Sequence, residues 1–264
     1  AQNDNKDSSV ASLPQNDKEK LHDKAQKFFN ELKNFADDKG NHIFLNSYGK
    51  NRLKARNYVG LIQTKSGFCI EILPKTFRAD KFDNSVKCNG NKDCKCPICK
   101  AKDILLKMLQ TLRDSPFKQS HISNLKTHKF PLLEIFAIMF LDELDLLIKR
   151  GIKSDYVERE ENRAFLKGKL LFSENLKHNF AHKERFFTAS DEFIADIAPN
   201  RLIVSTLLLL SKCNFSAKTS TRILQSRFVF EGIAHSQNYD KDFAKCENLR
   251  HFKSYEILLL WCKI

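Results

Sequence analysis

The sequence is poor in two of its bulky apolar residue types, with one Trp and two Met among 264 residues. It also has no run approaching the ~20 consecutive apolar residues that a bilayer span requires. The best run, Leu202 to Leu210, is short and contains Ser205 and Thr206, and the stretch from Phe130 to Ile148 is interrupted by Glu134, Asp142, Glu143 and Asp145. No membrane association is expected. The first residues, AQNDNKDSSVASLPQND, have no apolar h-region, so no secretory signal is visible and the expected compartment is the cytoplasm. A phosphate loop of the GxxxxGK(S/T) type is missing, so the chain is not expected to hydrolyse nucleotides itself. No Ser-His-Asp or Cys-His arrangement can be singled out, and no internal repeat is present.

The acidic residues give no better lead to catalysis. Metal-dependent nucleases of the commonest kind place carboxylates on a strand pair, one of them two residues before a Lys that helps to activate water. Four local matches occur. Asp4-Asn5-Lys6 lies in a polar tail. Glu31-Leu32-Lys33 and Asp37-Asp38-Lys39 lie in or at the end of an expected helix, and Asp93-Cys94-Lys95 lies in a cysteine-rich loop. None sits on a convincing apolar strand, so no catalytic residue is assigned. The run from Asp155 to Glu161 reads as a solvated helix start, and Asp191, Glu192 and Asp196 read as capping and surface charge.

What is present is Phe, with 22 residues, and positive charge, with a formal net of +13. The charge is uneven: residues 41–130 hold 18 Lys and Arg against 6 Asp and Glu. Such a stretch attracts nucleic acid or an acidic protein surface. A solvated face of a Lys-rich protein is the plain alternative.

Residues 1–17 are polar and expected to be disordered. A helix is expected from Asp17, with Leu21, Ala25, Phe28, Phe29, Leu32 and Phe35 at helical spacing and Gly40 beyond its end. The period then shortens. Ile43 to Leu45, Tyr58 to Ile62 and Phe68 to Leu73 are strand-like runs separated by turn signals at Tyr48-Gly49-Lys50 and Lys65-Ser66-Gly67. They predict a small antiparallel sheet or barrel-like unit. Helices are expected from Ala101 to about Arg113, from Pro131 to Gly151, from about Asn200, over Lys218 to Phe230, and from Phe252 onward. The segment Phe165 to Phe172 is a strand or a turn. The fold class is therefore α+β: residues 18–130 form a basic, β-rich unit with a Cys-rich loop over 81–100, and 131–264 form a mainly helical part. The chain stops inside an apolar helix at Leu258 to Ile264, which reads as a fragment.

Four of the eight Cys, at 88, 94, 96 and 99, fall in the segment CNGNKDCKCPIC. Cys88, Cys94, Cys96 and Cys99 are candidate ligands for tetrahedral zinc, and Lys87, Lys92, Lys95 and Lys100 would favour their thiolate forms. The single residue between Cys94 and Cys96 departs from a regular zinc ribbon. A redox role, or four thiols on a mobile loop, are the alternatives. Cys69, Cys213, Cys246 and Cys262 are isolated and expected to be core thiols. Lys50, Arg52, Lys54 and Arg56 alternate with non-basic residues, so on a strand they would share one face.

An ordered series of phrases resembles a known family. Asn57-Tyr58-Val59-Gly60-Leu61-Ile62 precedes Ile70-Glu71-Ile72-Leu73-Pro74-Lys75. Glu134 and Phe140-Leu141 lead into Arg150-Gly151-Ile152 and Tyr156. Glu161-Asn162, Phe165 to Leu170, Asp191-Glu192-Phe193, Asp196 and Asn200 to Ile203 follow. This order, over roughly residues 43 to 264, is similar to the McrC family, including the McrC-like subunits of LlaJI-type systems. The resemblance implies a partner, an McrB-like AAA+ GTPase whose ring the N-terminal part enters or caps and whose GTP hydrolysis it stimulates. It also implies a C-terminal nuclease domain acting on double-stranded, modified DNA, and the sequence stops about where that domain would begin. GTP and Mg²⁺ would then be used only by the partner or by that domain. In this reading Lys50, Arg52, Lys54, Arg56 and Lys75 are partner- or DNA-binding residues. Gly168 suggests a tight turn and Asn162 a local backbone bond. Alternatives are a stand-alone DNA-binding module, the remnant of a frameshifted restriction gene, or a nuclease of unrecognised design.

Overall fold

A computed structural model of the chain describes residues 15–64, 66–75, 94, 96–113, 115–119, 130–247 and 250–264. Residues 1–14 of the expected disordered tail (1–17) and most of the loop at 81–100 lie outside them, and residues 15–17 of that tail belong to a helix. The chain divides into two compact units, Ala1–Lys107 with Asn124–Leu133, and Met108–Ser123 with Glu134–Ile264.

In the first unit a long helix covers two hairpins. Helix α1 (Gln15–Asp37) buries Leu32 and Ala36 and half-buries Phe28, Phe29 and Phe35 along one stripe. Just beyond it Gly40 has φ 101°, a backbone conformation that L side chains rarely adopt. Strands β1 (Leu45–Ser47) and β2 (Leu53–Ala55) pair antiparallel with Leu45 opposite Ala55 and Asn46 opposite Lys54. Strands β3 (Gly60–Gln63) and β4 (Cys69–Ile72) form a second antiparallel pair. The expected strands thus exist and pair antiparallel, but as two separate ribbons. A two-stranded ribbon alone is marginal in water. Here one helix supplies the missing apolar cover for both. Leu32, Ala36, Leu45 and Ile62 form a buried cluster, with Phe35, Phe44, Leu53, Ala55, Tyr58, Phe68, Ile70 and Ile72 packed against it. Phe28 stacks on Phe68 at 4.3 Å between ring centroids.

Two carboxyl groups of α1 also bind the ribbons. Glu31 accepts a 2.6 Å hydrogen bond from Ser66 Oγ, and Asp37 one of 2.7 Å from Ser47 Oγ. The first of these, with a further bond from Thr64, holds the Glu31 carboxyl below its usual pKa. These are the acids of two of the acid–x–Lys matches in the sequence, and here they tie a helix to two ribbons.

Helix α2 (Pro97–Gln110) and the start of α3 (Leu132–Arg150) complete this unit. Lys102 of α2 is buried, yet its ammonium lies 2.8 Å from Glu71 of β4 and donates to the carbonyl of Phe130 at 3.2 Å. Glu71 also accepts from the backbone N–H of Leu132. One ion pair therefore joins β4, α2 and the first turn of α3, where an orphan N–H needs a partner.

The second unit departs further from expectation. Asp155 to Arg163 forms strand β5, not a helix start. It pairs along its whole length with β7 (Phe186–Ile194), and β6 (Lys169–Leu170) joins the far side of β7. Exposed Tyr156, Glu158 and Glu160 alternate with half-buried Asp155, Val157 and Arg159. The period of two is real, but Arg on the covered face hid it from an apolar count. Gly168 has φ 77° in the turn before β6, and a Cβ there would run into the carbonyl oxygen of Ala189 and the Ser190 side chain, so glycine is required. Helix α4 (Phe172–Asn179), which sequence periodicity missed, is fixed by amides. Buried Asn179 exchanges bonds of 2.8 and 2.9 Å with Asn162 and donates to Asn175, whose oxygen also accepts from Phe187 N–H at 2.9 Å.

The rest of the unit is helical: α6 (Ala217–Val229), α7 (Tyr239–Glu247) and α8 (Glu256–Lys263) pack on α5 (Ala198–Leu210). The expected helices near 200, 218 and 252 are therefore present, and α7 is an addition. Leu141, Leu144, Leu202, Ile203, Leu207, Ile223 and Leu258 are buried, and the single Trp261 packs edge-on against Phe117 at 4.8 Å. Buried Tyr255 accepts from Lys153 N–H at 2.9 Å.

Glu134 is an acid in the interior of this unit. It accepts hydrogen bonds from Ser216 N–H at 3.1 Å, from Ser216 Oγ, and from Thr219 Oγ1 at 2.7 Å. It thus caps the N-terminus of α6 from another helix. Replacing Glu134 with Ala leaves a backbone N–H and two hydroxyls without their acceptor, a loss of about 2 kcal/mol. The urea midpoint of E134A should fall accordingly, with the m-value unchanged. An unaltered midpoint would show that the cap carries no stability.

Candidate functional site

The basic residues singled out in the sequence lie on the β1–β2 ribbon and at the end of the β3–β4 ribbon. Leu53 and Ala55 turn into the core, so Arg52, Lys54 and Arg56 project outward together, and all three are exposed. The alternation read from the sequence therefore operates here. Lys50 sits in the turn, where Gly49 adopts φ 68° and Tyr48 N–H closes the loop onto Arg52 carbonyl at 2.8 Å. Lys75 is exposed three residues beyond β4.

Lys54, Arg56 and Lys75 converge on one cleft of about 680 Å³, whereas Lys50 and Arg52 are not among its lining residues. Asn46, Tyr48 and Asn57 complete most of the wall, and no acidic residue is among the described residues that line it. With its amide oxygen turned toward Arg56, Asn46 accepts from Nε at 2.9 Å and from Nη2 at 2.6 Å and donates to His42 carbonyl at 2.6 Å. The guanidinium is thereby oriented with no counter-anion among the described residues of the cleft wall. Asn46 and Tyr48 were not legible as wall residues, because nothing in a three-residue strand tells which neighbour faces Lys54. The hairpin signal at Tyr48-Gly49 was the only pointer.

The cysteine segment supplies the second constellation. Cys94, Cys96 and Cys99 are buried, and their sulfur atoms lie within 4.8 Å of one another, a group that can hold a metal ion. Cys88, the fourth candidate, lies outside the described residues. The local geometry follows from CPIC. Cys96 precedes α2, Pro97 opens it, and Cys99 N–H donates to Cys96 Sγ at 3.4 Å. Cys96 thus occupies the position at which Ser or Asp usually caps a helix, with sulfur in place of oxygen. The isolated Cys residues behave otherwise. Burial pushes the Cys246 thiol up to about 11 and the Cys262 thiol up to about 12, so both remain protonated and inert. Cys69 and Cys213 are half-buried.

A third group of polar residues, at the edge of the β5–β7 pair, is structural. Glu192 accepts from Lys167 at 2.7 Å and from Arg163 at 2.9 Å, and these two bonds, Lys167 first, bring its pKa down to about 2. Asp196 receives a two-pronged contact from Arg201 at 2.7 and 2.9 Å, which holds its carboxyl below the usual range. Asn200 donates to the carbonyls of Lys153 and Ala195 at 3.0 and 2.7 Å. These are the residues of the later family phrases, and the structure gives them to the frame of the sheet. Among the described residues no helix is long and apolar enough to cross a membrane.

The fold defines an α+β protein whose two-ribbon N-terminal unit is followed by a unit of helices and a three-stranded antiparallel sheet. The chain belongs to the family of McrBC 5-methylcytosine restriction system components, which it matches over residues 53–264. Two solved structures are similar in fold. One chain of the Thermococcus gammatolerans McrBC complex superposes with a TM-score of 0.56 at 21% identity, covering 92% of this chain and 71% of that one. A chain of the half-complex from the tetradecameric assembly of T. gammatolerans McrB AAA+ hexamers with bound McrC superposes with a TM-score of 0.52 at 21% identity, covering 95% of this chain and 61% of that one. No curated protein matches the chain.

The Glu192 contacts give a pH prediction with a definite sign. A carboxyl with a depressed pKa contributes stability that is present above its ordinary value of 4.5 and is lost as pH falls toward 2. An NMR titration of Glu192 should give a pKa near 2, and R163A/K167A should return it toward 4.5. A native Glu192 titrating at its ordinary value would refute the pairing.

Proposed function

We propose that this chain is a non-catalytic portion of an McrC-type restriction subunit. It docks on an McrB-like AAA+ GTPase ring, stimulates GTP hydrolysis and couples it to cleavage of modified double-stranded DNA. The supporting observation is the family match over residues 53–264, read together with the kinship in fold to an assembly in which McrC is bound to McrB AAA+ hexamers. The basic ribbon suits this role chemically. Lys50 and Arg52 sit at the tip of a hairpin, where an exposed turn can reach into a ring, and Lys54, Arg56 and Lys75 line a cleft open to anions. Residues 18–130 are the partner- or DNA-facing part, and 131–264 are its mount. GTP and Mg²⁺ belong to the partner or to a nuclease domain, and cutting resides outside this chain. The cysteine cluster takes no part in that chemistry; it is a structural site of the kind a zinc ion occupies.

A second reading, a stand-alone DNA-binding module, is favoured by the acid-free cleft alone. It requires partner-free affinity for DNA that falls steeply with salt. The two readings separate on one assay. Mixed with its cognate McrB-like ring, the chain should raise GTP turnover by at least about fivefold, the lower end of ordinary coupling between sites. K50E/R52E should abolish most of that rise while leaving the urea midpoint in place, because both side chains are exposed. Absence of both binding and stimulation would overturn the docking reading.

A further inference from the structure

Neither the docking surface nor any step of restriction accounts for the cysteine segment. We infer that Cys94, Cys96 and Cys99 bind one Zn²⁺, and that this ion is a clamp for the first unit, tying the N-terminus of α2 to β4 and to the start of α3. The inference concerns the build of the subunit proposed above and stands or falls separately from ring docking.

The first argument is geometric. With Zn–S near 2.3 Å, sulfur atoms around a tetrahedral ion lie about 3.8 Å apart. The three thiols already lie within 4.8 Å of one another, so an ion needs only a small contraction. They are also buried, at 8, 2 and 1% exposure for Cys94, Cys96 and Cys99. Three sulfurs meeting at one point do not suit a disulfide, which uses two and leaves the third over. The second argument is chemical. Thiolate ligands select soft or borderline metals and exclude Mg²⁺ and Ca²⁺. The N–H of Cys99 pointing at Cys96 Sγ, at the positive end of a fourteen-residue helix, stabilises negative charge on that sulfur. The fourth position of a tetrahedral ion goes to another ligand, such as water or a thiol.

The third argument gives the site its role. One helical turn beyond Cys99 stands Lys102, buried and paired with Glu71 at 2.8 Å. The same Glu71 accepts from Leu132 N–H, and Lys102 donates to Phe130 carbonyl. An ion on Cys96 and Cys99 fixes the first turn of α2 and therefore the place of Lys102. Without the ion that turn loses the three-thiolate anchor at its start and frays, and the ammonium moves away from Glu71. Metal binding is then part of the folding free energy of this unit, as for other small thiolate sites.

Protein purified without chelator tests this. Elemental analysis should find roughly one zinc per chain. Replacement by Co²⁺ should give the intense visible bands of a tetrahedral ion with thiolate-to-metal charge transfer. Stripping the intact chain with a strong chelator should raise amide hydrogen exchange at residues 60–72 and 130–133 as well as at 96–102. Exchange over α5 and α6 should stay unchanged, and added Zn²⁺ should restore protection. This reversible arm does not depend on a variant that folds. C96S/C99S should bring the zinc content below half an equivalent. Less than half an equivalent in the native chain, or Co²⁺ without charge-transfer bands, would overturn the metal assignment. A chelator effect confined to 94–99 would overturn the clamp. GTP turnover with the ring, measured on the same samples, reports on docking alone.

Discussion

A buried ammonium must find an anion, and in the first unit that obligation is met by the contact of Lys102 with Glu71. A charge taken out of water loses hydration worth several kcal/mol, which only close pairing and further hydrogen bonds can offset. Both conditions hold: the pair is 2.8 Å apart, Lys102 has a carbonyl as second acceptor, and Glu71 has a backbone N–H as second donor. Three stretches distant in sequence, at 71, 102 and 130–132, are thereby held in one register. An apolar contact tolerates sliding, whereas this arrangement does not. It selects one placement of α2 against the β3–β4 ribbon, the helix whose first turn carries Cys99.

The same economy of polar contacts recurs in the second unit. Glu134 caps α6 from within α3, and Asn200 gathers one carbonyl from the α3–β5 connection and one from the β7–α5 connection. Such contacts set register, while the Leu, Ile and Phe side chains around them supply most of the burial that stabilises the fold. The basic ribbon is built the other way. Its apolar side chains lie under α1, and Arg52, Lys54 and Arg56 are left toward solvent.

Much of this was legible in the sequence, and the exceptions have physical causes. The helix ahead of Gly40 and the helix beginning after Pro131 announced themselves by apolar period and by their end signals. The outward face of Lys54 and Arg56 followed from simple alternation, and the convergence of Cys94, Cys96 and Cys99 from their spacing. Strand β5 was hidden because Arg159 occupies a half-buried position, near Glu192 and Asp196, which no local pattern connects to it. Helix α4 was hidden because amide side chains rather than an apolar stripe hold it. Glu71 and Lys102 were invisible as a pair. The only hint was that Lys102 shares a helical face with Cys99, Leu105 and Leu106, and a lysine there must be paired or exposed.

The amide triad of Asn162, Asn175 and Asn179 has one more consequence. Its bonds join neutral groups, so neither dissolved ions nor proton concentration alters them directly, whereas the neighbouring Arg163 and Glu192 contact weakens as electrolyte screens it. Changes in ionic strength therefore act on the two sets of contacts differently. In this sheet the charged edge can loosen as salt rises while the uncharged seam between α4 and the strands keeps the two long strands aligned.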